Sequence, residues 1–204
     1  TGVIGDTSDK ESERPMLSVA QVKTNLKNYK EQVAKLIDIS KAEIKFNSKW
    51  LAKLDYNDVG EHANQFSLAE FIARDNIRRR LEAGTRVSLR EVLYPLMQGY
   101  DSVAVKADVE LGGTDQRFNM LAGRKLQEYF KQDSQAIIMN PLVEGLDGRK
   151  MSSSWGNTVN FSDKPTGMFG KIMSIGDDLI IKYFKYFSRV SLVEIGRMEK
   201  EMKE

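Results

Sequence analysis

No cysteine and a single histidine, His62, occur in the 204-residue sequence. That scarcity excludes disulfide bonds, thiolate metal sites and any centre built on several histidines. His62 by itself reads as an ordinary residue on a helix surface. No apolar run approaches the roughly 18 residues that suggest a membrane span, and no secretory pattern precedes Thr1, so a cytosolic protein is expected. Internal repeats and low-complexity segments are lacking too. A dominant sign of charge is also missing: 31 Lys and Arg against 29 Asp and Glu leave a formal charge of +2, which neither demands nor forbids a nucleic-acid partner. What remains, 41% hydrophobic and 29% charged residues, is ordinary for a soluble globular protein with one well-buried domain or one domain and the start of another. The opening Thr1-Gly2-Val3-Ile4-Gly5-Asp6 reads as the tail of a strand, and further sequence is expected upstream.

Four Ser-x-x-Glu/Gln capping boxes divide the chain into helices: Ser18/Gln21, Ser67/Glu70, Ser88/Glu91 and Ser191/Glu194. After the first, Val19, Val22, Leu26, Tyr29, Val33, Leu36 and Ile37 place one apolar stripe on a long amphipathic helix. The lysines of its polar face, Lys23, Lys27, Lys30 and Lys35, fit a solvated face or a nucleic-acid contact. The second box opens a helix from Leu68 to Ala83, ended by Gly84, with Arg78, Arg79 and Arg80 on a last turn whose dipole favours cations. Val- and Ile-rich segments, Ser102 to Leu111 and Gln135 to Met139, read as buried parallel strands around a helix from Phe118 to Tyr129. This is the βαβ unit of a doubly wound sheet, whose ligands sit beyond the carboxyl ends of the strands. The last box starts a helix still running at Glu204.

Three clusters of polar residues stand out. Between Pro141 and Asn157, Gly145 and Gly148 permit a sharp turn, Lys150 supplies a point charge, and Ser152, Ser153 and Ser154 supply hydroxyls, a composition suited either to a polyphosphate or to a solvated surface turn. On the helix begun by Ser88, Tyr94, Gln98 and Asp101 align a phenol, an amide and a carboxylate on one face, opposite most of the apolar residues. Such a face either meets water or holds a small zwitterion that bears another polar group. Pro95 removes one helical N–H and is expected to kink the helix near Tyr94. The corner Gly112-Gly113-Thr114-Asp115-Gln116 lies where a strand meets a helix N-terminus. It is either a plain tight turn or a seat for ribose and phosphate, with Asp115 accepting from sugar hydroxyls.

The run Lys150-Met151-Ser152-Ser153-Ser154, followed by Gly156-Asn157, resembles the K-M-S-K-S signature loop of class I aminoacyl-tRNA synthetases. Together with Tyr94-x-x-x-Gln98-x-x-Asp101 and Gly112-Gly113-Thr114-Asp115-Gln116, it resembles the bacterial tyrosyl-tRNA synthetases, and the likeness extends over nearly the whole chain, from Thr1 to Asp6 and on to Met168-Phe169-Gly170-Lys171-Ile172-Met173-Ser174. The resemblance implies an α/β fold: a partial Rossmann-like doubly wound parallel sheet with a helical insertion and a helical C-terminal extension. Residues 1–175 would form a partial catalytic domain, with dimer-contact helices at about 46–92 and the signature loop at 145–157. Residues 176–204 would begin a helical region leading to a C-terminal domain.

By the same resemblance Asp6, Tyr94 and Gln98 would bind the α-amino group of tyrosine, with Thr1 nearby. Asp101 would accept a hydrogen bond from the substrate phenol and exclude phenylalanine, because polar groups are left unpaired by the wrong substrate; tyrosyl-tRNA synthetases are the standard example of this effect. Gln116 would face the substrate carboxylate, Gly112, Gly113 and Asp115 the ribose side of ATP, and Leu142 and Val143 the adenine. Lys150, Ser152, Ser153 and Ser154 would steady the pyrophosphate. ATP is implied as a substrate with Mg²⁺, tRNA(Tyr) as the acceptor, and a homodimer as the assembly.

Two departures from the family pattern matter. Ser153 replaces the usual second lysine of the signature loop, and the chain holds neither an H-x-G-H motif nor the substrate-contacting tyrosine expected upstream of Thr1. His62 lies on the wrong segment to stand in for that motif. The 204-residue chain alone is therefore expected not to activate tyrosine. Two rivals stand beside the ligase: a non-catalytic dimer-forming fragment acting as a binding module, and a tryptophanyl-tRNA synthetase, against which a carboxylate at Asp101 argues.

Overall fold

The computed structural model describes residues 17–26, 29–152 and 155–203, in two compact units that divide after Pro141. In the first unit Ser18 opens α1 (Val19–Leu26) by the expected reciprocal cap: Ser18 Oγ accepts from Gln21 N–H at 3.2 Å and Gln21 Oε1 from Ser18 N–H at 2.8 Å. The long helix expected here is described on either side of residues 27 and 28, which lie outside the described residues, as α1 and α2 (Tyr29–Val33), and it ends at Val33, short of Leu36 and Ile37. Much of the apolar stripe is exposed, with Val19, Tyr29 and Leu36 at 60%, 58% and 63%.

Short helices follow: α3 (Ser48–Leu51), α4 (Tyr56–Asn64), α5 (Leu68–Ile72) and α6 (Asp75–Glu82). The helix expected across Leu68 to Ala83 breaks at Arg74, whose backbone is extended (φ −59°, ψ 129°). The break has a use. Arg74 Nε donates to Phe71 O at 2.9 Å, and Nη2 reaches Val92 O at 3.2 Å and Glu91 O at 3.4 Å. Pro95, four residues beyond Glu91, has no N–H to give that carbonyl, so the guanidinium supplies a donor that the helix cannot.

Arg80 and His62 are also corrected by the structure. Arg80, expected to be explained by the helix dipole alone, is 4% exposed and pairs at 2.6 Å with Glu91, itself 1% exposed and still part of the Ser88 capping box. His62 is 4% exposed, stacked on Tyr100 with ring centroids 4.8 Å apart, and burial pushes its pKa below 6.5.

The central helix, α7 (Leu89–Val105), runs through the residues expected to begin a strand and ends only at Lys106, whose φ of 55° is left-handed. Tertiary packing overrides the β preference of its valines. Its partner α8 (Arg117–Tyr129) lies so close that a Cβ on Gly123 would stand 2.9 Å from Ser102 Cβ. Strands β1 (Val109–Gly113) and β2 (Ala136–Asn140) pair in parallel, from Val109 opposite Ala136 to Gly113 opposite Asn140, and α8 connects them. The strand–helix–strand unit is therefore present, with β1 shorter than expected. Phe71, Val92 and Leu96 form the core with Phe66, Leu93 and Phe118 around them, and the Phe71 and Phe118 rings meet edge to face.

The second unit carries α9 (Pro165–Met173), α10 (Asp177–Phe187) and α11 (Leu192–Glu201), with Leu179, Tyr183 and Ile195 buried. Ser191 Oγ caps α11 by accepting from Glu194 N–H at 3.2 Å. That helix stops at Glu201 rather than running on, and Glu204 lies outside the described residues. Among the described residues no helix is long and apolar enough to cross a membrane.

Candidate functional site

The predicted residues fall into two sets, one in each unit. In the first unit, α7 presents Tyr94, Gln98 and Asp101 at intervals of four and three residues, and all three are half-buried rather than facing bulk water. Asp101 is already held. Its Oδ1 accepts from Trp50 Nε1 at 2.7 Å and its Oδ2 from Asn47 Nδ2 at 3.0 Å. Burial pushes the Asp101 pKa above 3.8, and the two donors pull against that shift. Each carboxylate oxygen retains a further lone pair, so a phenol hydroxyl could still donate to the group.

Gln98 belongs to a second network. Its Oε1 accepts from Asn119 Nδ2 at 3.1 Å, and the same nitrogen donates to Gln116 Oε1 at 2.9 Å, so Asn119 joins two predicted site residues from different elements. On its other side Gln98 Nε2 donates to Glu110 Oε1 at 3.4 Å. Glu110 Oε2 in turn accepts from Ser102 Oγ at 3.2 Å and from Gln135 Nε2. With Glu110 accepting from the Gln98 nitrogen and Asn119 donating to its oxygen, that oxygen is fixed as an acceptor, the polarity that an ammonium group requires.

The glycine corner closes β1. Gly113 ends the strand, a single 3₁₀ turn spans Thr114–Gln116, and α8 begins at Arg117. At Gly112 the missing side chain makes room for protein rather than for sugar, since a Cβ there would stand 2.9 Å from Met120 Sδ. A hollow of about 440 Å³ lies beside the corner, lined by Thr114, Asp115, Arg117 and Asn119 with Arg74 and Arg79. Asp115 is half-buried on its wall. Thr1 and Asp6 lie outside the described residues.

In the second unit the run from Leu142 to Ser152 folds as a hairpin. Glu144 and Lys150 face each other as an antiparallel bridge, Met151 N–H donates to Val143 O at 2.8 Å, and Gly148 N–H closes the turn on Gly145 O at 3.0 Å. Leu142 is exposed and Val143 half-buried, so Val143 and Lys150 are joined in one short unit of backbone pairing. Lys150 and Ser152 are half-buried; Ser153 and Ser154 lie outside the described residues. Arg149 pairs with Asp147 and lays its guanidinium over the Trp155 ring at 4.6 Å. Lys182 holds Glu144 at 2.6 Å, and the Tyr183 hydroxyl donates to Glu144 O at 2.9 Å.

Sequence reasoning missed Asn47, Trp50, Glu110 and Asn119. Asn119 had a readable signal, three residues after Gln116 on the same helical face. The contacts of Asn47 and Trp50 span 54 and 51 residues, and no local pattern announces them. Among the described residues no three His, Asp or Glu side chains converge as metal ligands.

Comparison with known proteins finds relatives along the whole chain. The curated tyrosine–tRNA ligase of Burkholderia pseudomallei is 48% identical over 202 residues, 98% of this chain and 49% of that protein. The ligase of the same name from Thermotoga maritima is 44% identical over 205 residues, all of this chain and 51% of that protein. The chain thus spans about half the length of the curated relatives it matches. Among solved structures, the Archaeoglobus fulgidus tyrosyl-tRNA synthetase complexed with L-tyrosine superposes with a TM-score of 0.64 at 26% identity, over 83% of this chain and 56% of that one. A C-terminally truncated mitochondrial tyrosyl-tRNA synthetase from Aspergillus nidulans, at 19% identity, shares the fold over 98% of this chain and 63% of its own with a TM-score of 0.65. The small parallel sheet therefore belongs to the Rossmann-like fold of the class I synthetases. The family model described as tRNA synthetases class I (W and Y) matches residues 1–204, and the chain belongs to that family.

Proposed function

We propose that this chain is part of a tyrosine–tRNA ligase, cytosolic and homodimeric, that activates tyrosine with ATP and passes the tyrosyl group to tRNA(Tyr). The observation that carries the reading is Asp101, a half-buried carboxylate held by Asn47 and Trp50 on the helix that also presents Gln98. In this reading Asp101 accepts from the substrate phenol, while Gln98, Tyr94 and Asp6 take the ammonium, with Thr1 beside them. Gln116 faces the substrate carboxylate, and Gly113 and Asp115 the ribose, while Gly112 gives its space to Met120. Leu142 and Val143 line the adenine side, and Lys150, Ser152, Ser153 and Ser154 meet the pyrophosphate.

A tyrosine carboxylate oxygen forms the new bond to the α-phosphorus, and the bond from that phosphorus to the bridging oxygen breaks as pyrophosphate leaves. No covalent enzyme intermediate is needed. Rate comes from alignment of the two substrates and from Lys150 beside the charge that develops on the leaving group. Phe46, Tyr56, Leu68 and Leu81 are 49%, 98%, 66% and 48% exposed, which supports a subunit contact within residues 46–92.

The test is amino-acid-dependent ATP–pyrophosphate exchange by the complete reading frame that encodes this chain and by the 204 residues alone. Exchange with tyrosine but not phenylalanine or tryptophan is expected from the complete protein, and none from the 204 residues. Exchange with tryptophan in preference to tyrosine would overturn the assignment.

A further inference from the structure

Asn157 is 4% exposed, and its amide is fully committed. Oδ1 accepts from Ser152 N–H at 2.8 Å, while Nδ2 donates to Lys150 O at 3.1 Å and to Asp147 Oδ1 at 2.7 Å. Rotating the amide by half a turn would set its NH₂ against the Ser152 N–H and its oxygen against a carboxylate, so one orientation alone fits. The main chain contributes a fourth tie, Leu146 N–H to Asn157 O at 3.1 Å. Room for all this depends on Gly145, where a Cβ would stand 2.5 Å from Asn157 O. On the far side Asp147 is fixed by Arg149.

Residues 147, 150 and 152 are thereby gathered on one buried side chain. We infer that Asn157, with Asp147 as its counterpart, is a positioning residue that fixes the main chain beneath Lys150, so that the lysine charge is presented from a set backbone point. The inference rests on the reading of Lys150 as the cation that meets the nucleotide phosphates. Holding a Gly- and Ser-rich segment in one conformation costs backbone entropy at each residue fixed, and a clamp made during folding removes that cost from the chemical step. A charge arranged in advance stabilises the transition state without reorganisation, so the clamp acts on kcat rather than on tyrosine binding.

The experiment uses the complete protein that carries this chain, with active sites titrated so that rates are per competent site. Asn157→Asp removes both donors and sets a carboxylate against Asp147. It is expected to lower kcat for pyrophosphate exchange on the order of 100-fold, the scale of a misplacement of about 1 Å, and to leave KM for tyrosine unchanged. Adding Asp147→Asn reverses the polarity of the pair, an amide at 147 donating to a carboxylate at 157, and is expected to return most of the lost kcat. A second readout needs no activity: trypsin cuts after Arg149 and Lys150, faster in Asn157→Asp than in wild type and slower again in the double variant. Three results overturn the inference: wild-type kcat in Asn157→Asp, a loss confined to the fraction of competent sites, or no recovery in the double variant. A wild-type protein that exchanges no pyrophosphate with tyrosine removes the functional reading itself, a different failure from these three.

Discussion

Asp101 and Asp147 are two carboxylates held by side-chain donors, and their pKa values move in opposite directions. Burial pushes Asp101 above 3.8, against Asn47 and Trp50, which come from more than 50 residues away. Asp147 is held down at about 2, first by the Asn157 amide and then by Arg149, ten and two residues off in the same short segment. The first region is assembled by tertiary packing and holds a group whose charge is expensive to bury. The second is assembled locally around a charge that water and neighbours stabilise. A rigid amino-acid side chain needs a pocket of fixed depth, whereas phosphates need donors and charge at a surface, so the two solutions suit their proposed ligands.

If the first unit depends on buried polar order, breaking that order should produce the largest loss. Arg80→Met takes the 2.6 Å guanidinium partner from a carboxylate that is 1% exposed, and is expected to destabilise the protein by about 3–5 kcal/mol in urea unfolding. Arg149→Met in the hairpin removes an exposed pairing and should leave the unfolding midpoint almost unchanged. Equal losses from the two substitutions would erase the distinction between the regions.

That contrast also marks what could be read from sequence. The Ser18, Ser67 and Ser88 caps and the α8 helix were legible because each is set by spacing within a few residues, and the parallel pairing followed from the Val- and Ile-rich segments on either side of that helix. The hairpin was legible as a Gly- and Ser-bearing turn with Lys150 in it. The boundary between α7 and β1 was not, since Val103 and Val105 suit a strand, and packing against α8, with Ser102 close to Gly123 and Val103 buried, favours the helix instead. Nor were the break at Arg74 or the burial of Arg80, both of which answer to groups on α7. Trp50 illustrates the general limit: its role is fixed by a partner 51 residues away.

Trp50→Phe sharpens the comparison at the pocket. It removes one hydrogen bond to a charged group, a contribution of about 1.5–3 kcal/mol. KM for tyrosine is expected to rise roughly tenfold or more, with trypsin cleavage after Arg149 and Lys150 unaltered. Gly145→Ala is the converse experiment. Crowding of Asn157 is expected to cost about 1–3 kcal/mol of stability and to speed that cleavage, with KM for tyrosine unchanged. Either substitution acting on the other region's readout would show that the two sites are not built independently.

The smallest effect is also the most direct. Carboxyl carbon shifts of the two aspartates, followed by NMR as the pH is lowered, should show Asp101 taking up its proton above 3.8 and Asp147 only near about 2. The signs for stability are opposite. Asp101 has a raised folded value, so its favourable contribution is present below 3.8 and lost as the pH rises through that value; the charged form needed for a phenol carries the burial cost at neutral pH. Asp147 has a lowered one, so its contribution is present above 3.8 and lost as the pH falls toward about 2. Trp50→Phe withdraws one donor from Asp101 and should move its titration higher still, leaving Asp147 where it was. Titration of the two in the reverse order would mean that Asp101 is more open to water than its place on α7 requires, and the proposed pocket would lose its floor.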